Sequence, residues 1–169
     1  RTFLRHYLID FNASLGASRE GPKQPMIGHE HLVDYGEILK AFLSLGIWEK
    51  PWQKRWRESG EQVQNSPAVG YFDNRYFDPS KYKTQLPYFA FKDLTRADGF
   101  WAAKILMSFT DQDINTVVQA GKFTRAGDVE YLAKTLAERR EKIAKYWFGQ
   151  SNPLDDFELQ ASDLTFKDL

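Results

Sequence analysis

The 169-residue chain contains no cysteine, which excludes disulfides, thiolate metal sites and cysteine nucleophiles together. It has no apolar run approaching the ~20 residues that cross a bilayer, and no recognisable signal peptide. It also has no excess of charge, with 23 Lys and Arg against 23 Asp and Glu. A domain that binds polyanions over its whole surface is normally strongly basic, so nucleic acid is disfavoured as a partner and only a local basic patch is left open. Internal repeats and low-complexity segments are lacking too.

What is present is aromatic mass. Thirteen Phe, eight Tyr and five Trp make up 15% of the chain. The length suffices for one core, and that core is expected to be built around rings with tight shape demands.

Residues 3–11 are rich in aromatic and β-branched types and read as a buried strand. A strand at the very start has no partner behind it and leaves its backbone groups unpaired. Further sequence is therefore expected ahead of Arg1. Residues 12–16 read as a turn. Residues 17–30, with Gly21, Pro22, Pro25 and Gly28, read as an irregular loop. A helix is expected over 31–46, apolar at Leu32, Tyr35, Leu39, Phe42 and Leu43 and stopped by Gly46. Residues 47–56 are dense in Trp and broken by Pro51. The segment 57–67 is polar, 68–72 suits a short strand, and 73–94 reads as an extended, aromatic-pinned connection.

The second half is more regular. Thr95-x-x-Asp98 and Thr110-x-x-Asp113 are capping boxes, in which side chain and backbone satisfy each other's free groups. Each opens a helix, one over 98–109 and one over 111–120 closed by Gly121. A third helix over 126–148 carries one apolar stripe through Val129, Leu132, Leu136, Ile143 and Trp147. Its outer face offers Glu138 to Lys142 and Glu141 to Lys145 at the i,i+4 spacing. From Asn152-Pro153 onward the tail is acidic and is expected to wrap a surface or fray. The expected fold is mainly α: an N-terminal strand or hairpin, then a compact helical subdomain around Trp101, Phe109, Leu132, Leu136 and Trp147. The chain reads as a single domain or domain fragment, with divisions at 1–30, 31–94, 95–150 and 151–169.

Several separate words occur in one order. They are His6-Tyr7-Leu8-Ile9-Asp10-Phe11-Asn12-Ala13-Ser14-Leu15-Gly16, then Gly46-Ile47-Trp48-Glu49-Lys50-Pro51-Trp52, then Pro67-Ala68-Val69-Gly70-Tyr71-Phe72. Phe100-Trp101-Ala102-Ala103-Lys104-Ile105 and Phe109-Thr110-Asp111 follow. Arg139-Arg140-x-Lys142-Ile143, Trp147 and Asn152-Pro153-Leu154 come last. From about His6 to Phe157 the chain resembles the C-terminal part of large, uncharacterised bacterial proteins. An exported bacterial protein would fit the lack of cysteine. Those relatives have an upstream segment similar to the H-x-D-x-x-x-x-N loop of protein-kinase-like enzymes. Their counterpart of Asp10-Phe11-Asn12 is usually Asp-Phe-Gly.

The resemblance implies a remote kinase-like fold, with this chain as its C-terminal lobe and extension. Its partner would be the upstream remainder of the parent chain, and the parent would bind ATP with Mg²⁺. Asp10 would then be a metal ligand, since a carboxylate ending a buried strand before a sharp turn is aimed into a cleft. Asn12 departs from the pattern, because Asn tolerates positive φ less well than Gly. No glycine-rich nucleotide loop and no nucleotide-anchoring Lys is identifiable, so the isolated chain is expected to be inactive. The alternative is that Asp10 caps its own turn.

Other candidates have plainer readings beside the functional one. His29 and His31, with His6 elsewhere, could ligate zinc, or could cap a helix start and pack on the surface. Trp48, Trp52 and Trp56 alternate with Lys50, Lys54, Arg55 and Arg57. Such interleaving suits a protein contact, stacking on bases or a membrane interface. It also suits rings that cover the helices beneath basic stems. Arg139 and Arg140 could meet a phosphate or an acidic partner, or else form a solvated face or bond the acidic tail. Ser14 lacks a G-x-S-x-G context, so a hydrolase elbow is unsupported.

Overall fold

The computed structural model describes residues 15–18, 21–22, 26–59 and 68–169. The expected strand over 3–11, with His6, Asp10, Asn12 and Ser14, lies outside the described residues.

The chain is mainly α-helical. A minimal hairpin of β1 (Ala17–Ser18) and β2 (Gly21–Pro22) is followed by α1 (Tyr35–Leu43) and α2 (Pro51–Ser59). A short 3₁₀ turn, Pro79–Lys81, and α3 (Phe89–Lys92) lead to the three main helices. These are α4 (Arg96–Met107), α5 (Asp111–Ala120) and α6 (Ala126–Phe148). A second antiparallel hairpin, β3 (Leu154–Gln160) and β4 (Asp163–Asp168), ends the chain.

Both capping boxes form. The Thr95 hydroxyl accepts from the Asp98 amide at 3.2 Å, and the Asp98 carboxylate accepts from the Thr95 amide at 3.0 Å. Thr110 and Asp113 repeat the arrangement at 3.1 and 2.8 Å. The hydroxyl and amide donors hold both carboxyls below their ordinary pKa.

The core lies where α4 and α5 pack on α6. Leu132, Thr135 and Ala144 of α6 are buried, with Ala103 of α4 and Val118 of α5. Gly99 of α4 is buried because the Trp147 ring lies where a Cβ would stand. This corrects the expected core. Small residues on the Gly99–Ala103 face bring α4 close to α6, which turns Trp101, about half a turn away, outward. Trp101 and Phe109 are exposed, Leu136 and Trp147 are half-buried, and Leu132 is fully enclosed.

Other expectations are also revised. Pro51 does not break the Trp segment; it is the first residue of α2, where its missing N–H costs nothing. Residues 68–71 form a turn around buried Val69, not a strand. The acidic tail is a hairpin: Gln160 pairs with Asp163 across a two-residue turn, and Ala161 has φ 55°. The pairs foreseen on α6 give way to other partners. Lys142 donates to the Asn74 and Phe77 carbonyls at 2.8 and 3.3 Å, and Glu138 accepts from Asn74 at 2.7 Å. Glu141 accepts from Arg140. Among the described residues, no helix is long and apolar enough to cross a membrane.

Candidate interaction surfaces

Helix α1 is built on a capped start. The Asp34 carboxylate accepts from the Gly36 and Glu37 amides at 3.1 and 3.3 Å and pairs with Lys83 at 3.0 Å. The Lys83 bond, then the amides, hold its carboxyl below the ordinary value. The apolar positions Tyr35, Ile38, Leu39, Phe42 and Leu43 follow the i, i+3, i+4, i+7, i+8 spacing of one stripe. That stripe faces solvent, and no residue of α1 is buried. Phe42 is 77% exposed, and Leu45 just beyond is 91% exposed. Among the described residues, α1 packs on no other helix or strand.

The Trp segment next to it is tied by polar bonds. Trp48 Nε1 donates to Glu37 at 2.8 Å, and Lys40 lies 5.2 Å from the Trp48 ring centroid. Trp52 Nε1 donates to Glu30 at 3.1 Å, and the His29 ring stacks on Trp52. Glu30 is buried, which its bonds to Trp52 and to Lys50 at 2.7 Å make tolerable. Trp48 and Trp52 are thus directed to different carboxylates rather than to one aromatic stripe. Lys54 lies on the exposed side of α2. The side chains of Arg55 and Trp56 lie outside the described residues.

The histidines go to separate tasks. His31 Nδ1 lies 2.7 Å from the Thr84 carbonyl, while His29 packs on Trp52. Among the described residues, no group of three or more acidic or histidine side chains is placed to hold a metal ion. Asp10, expected from the resemblance to hold Mg²⁺, lies outside the described residues.

Arg139 and Arg140 turn away from the tail, contrary to the plainer reading. Arg139 is sandwiched by Phe72 and Phe77, its guanidinium carbon 3.9 and 4.3 Å from their ring centroids. It donates through Nε at 3.2 Å and through Nη2 to the Asp73 carbonyl. Burial pushes its pKa down to about 10. Arg140 donates to the Phe109 carbonyl at 2.6 Å, to Asp111 at 2.7 Å and to Glu141 at 2.6 Å. It thereby staples the α4–α5 junction to α6. Its bonds to Glu141, then Asp111, raise its pKa.

Between residues 77–94 and helices α4 and α6 runs an open groove of about 880 Å³. Tyr82, Tyr88, Phe91, Leu106, Ile143 and Trp147 give it an apolar lining. Lys83, Lys92, Arg139 and Arg140 also line it, and no Asp or Glu does. A signal for it existed in the sequence. The 81–92 stretch interleaves Lys81, Tyr82, Lys83, Tyr88, Phe91 and Lys92, the same aromatic–basic alternation that marks the Trp segment. A second cavity, of about 410 Å³, is lined by both charge signs, and its Asp78 and Lys81 already pair at 3.0 Å.

Comparison with protein-family models, curated proteins and solved structures returns no match.

Proposed function

We propose that this chain is a protein-interaction module whose docking surface is the apolar stripe of α1. The carrying observation is that α1 leaves its whole stripe in solvent although its spacing is that of a core-facing helix. Amphipathic stripes normally bury against another element, and contiguous apolar patches mark interaction sites. The stripe suits an apolar protein surface, and the upstream remainder of the parent chain is the partner the resemblance names. Trp48 braces α1 through Glu37.

Leu39→Glu combined with Phe42→Glu tests the reading. The variant is expected to unfold at the wild-type temperature, because Leu39 and Phe42 are exposed. It should fail to associate with the separately expressed upstream part of the parent, which the wild type captures. Equal capture by both chains would sink the reading.

A second reading rests on the Asp10-Phe11-Asn12 resemblance alone. The parent would be a kinase-like phosphotransferase, with Asp10 holding Mg²⁺ against ATP. Under it, Asp10→Ala abolishes Mg²⁺-dependent nucleotide binding by the full parent. Unchanged binding would exclude Asp10 as the ligand.

A further inference from the structure

The cavity of about 410 Å³ lies between residues 27–30, the start of α2 and residues 71–83, and its size is that of a small-ligand site. Its wall carries four acids, Glu30, Glu37, Asp73 and Asp78, and four bases, Lys50, Lys81, Lys83 and Arg139. These charges cancel, and each of the side chains already has a partner within the chain. Glu30 pairs with Lys50, Asp78 with Lys81, Lys83 with Asp34 and Glu37 with Lys40. Asp73 accepts from the Arg75 amide, and Arg139 donates to the Asp73 carbonyl. A charged ligand would have to compete with these pairs. An apolar ligand would strand them away from water, and the aliphatic lining is limited to Ile27 and Pro51.

What the wall offers instead is an unspent acceptor beside aromatic surface. Glu30 is only 6% exposed. Among the described residues both of its side-chain partners, Lys50 Nζ and Trp52 Nε1, bond Oε2. Oε1 is left to accept from a ligand, since an ionised carboxylate has capacity on both oxygens. Trp52, Tyr71, Tyr76 and Tyr82 line the same cavity. A ligand ring with apolar C–H faces and a rim of hydroxyls uses both features. A planar base is best held between two parallel rings. Here the His29 and Trp52 rings stack on each other, with centroids 6.0 Å apart and planes 14° apart, and admit nothing between them.

We propose that this cavity binds a neutral mono- or disaccharide, whose C–H face lies on the aromatic wall and whose hydroxyls donate to Glu30 Oε1. The site uses none of the apolar side chains of the α1 stripe and is independent of the function proposed above.

The test is saturation-transfer NMR on the full chain, with glucose, galactose, mannose, N-acetylglucosamine and cellobiose as probes. Glucuronate, glucosamine and adenosine are run beside them. At least one neutral sugar is expected to bind with a Kd on the order of 1 mM, as suits a small ligand held by few contacts. Tyr71→Ala and Glu30→Gln should each weaken that sugar by about tenfold, through a lost stacking face and a lost charged acceptor. Glu30 also holds Lys50, so the unfolding midpoint of its variant is measured. Tyr71 is exposed, and its variant carries the test if Glu30→Gln does not fold. Phe91→Ala in the groove and Phe42→Glu on α1 should leave the sugar bound as in wild type, so that failure of this site and failure of docking through α1 are read separately. No transfer to any of the neutral sugars would overturn the proposal. So would tighter binding of glucuronate, glucosamine or adenosine than of every neutral sugar, or sugar binding untouched by Tyr71→Ala.

Discussion

The α4–α6 bundle and the α1–α2 region solve the same problem differently. In the bundle, each of the first two helices has its own capping box, and both pack on α6. Among the described residues, four of the five buried apolar side chains, Ala103, Val118, Leu132 and Ala144, belong to it. In the α1–α2 region the order is reversed. Polar bonds are satisfied by Asp34, Glu30 and Glu37, while the apolar stripe faces water. Among the described residues the bundle encloses a small core, whereas α1 leaves its whole stripe exposed.

The sharpest way to break this comparison is to truncate one apolar side chain in each region. Leu132→Ala should destabilise the chain by about 2–5 kcal/mol, since it opens a cavity in an enclosed site. Phe42→Ala should stay within about 0.5 kcal/mol, as surface changes do. Denaturant unfolding of the two variants measures the difference, and comparable losses would mean that α1 is part of the core.

Arg139 connects the bundle to residues 72–77, and its removal is the next largest effect. Arg139→Ala should cost about 2 kcal/mol through the lost sandwich and backbone bonds. Lys should not rescue it, because an ammonium neither stacks flat nor forks to one carbonyl. A Lys variant as stable as wild type would show the stack to be incidental.

Thr110→Ala probes the bundle's self-sufficiency more gently. It removes a capping hydroxyl and should cost about 1 kcal/mol, read as a lower unfolding midpoint. An unchanged midpoint would mean that packing on α6 alone sets the start of α5.

Acid gives the smallest effect. Asp78 is held down from 3.8 to about 2, chiefly by the Ser80 hydroxyl and Lys81. A carboxyl depressed in the folded state contributes stability above its unfolded pKa and loses it as pH falls through the folded one. The contribution should therefore fade between about pH 4 and pH 2. Asp78→Asn should flatten the unfolding midpoint over that interval, and an identical acid slope in wild type and variant would rule Asp78 out.

The helical half was legible because its signals are local. Thr95 and Asp98 sit three residues apart, as do Thr110 and Asp113, and the stripe of α6 repeats along one helix. Pro51 is ambiguous in the sequence because one residue type either breaks a helix or starts one, and only the surrounding fold decides which. The C-terminal hairpin is hidden in the sequence because its alternation is interrupted. The register shifts between Asp155 and Glu158, and Asp156 takes φ 50°. The carboxylates then masked the apolar period of Phe157, Leu159, Leu164 and Phe166.

The groove and the arginine sites lie beyond any local reading. Arg139 bonds a carbonyl 66 residues away, and Arg140 one 31 residues away.

The amino-acid sequence by itself determined α4, α5 and α6, the capped starts of the first two and the stripe of the third, because such signals act over one or two turns of chain. Only the tertiary structure decided which stripes are buried. Gly99 and Ala103 let α4 close on α6, while nothing among the described residues closes on α1 or on the hairpin's apolar face. Burial depends on what arrives from distant parts of the chain, and periodicity carries no record of that.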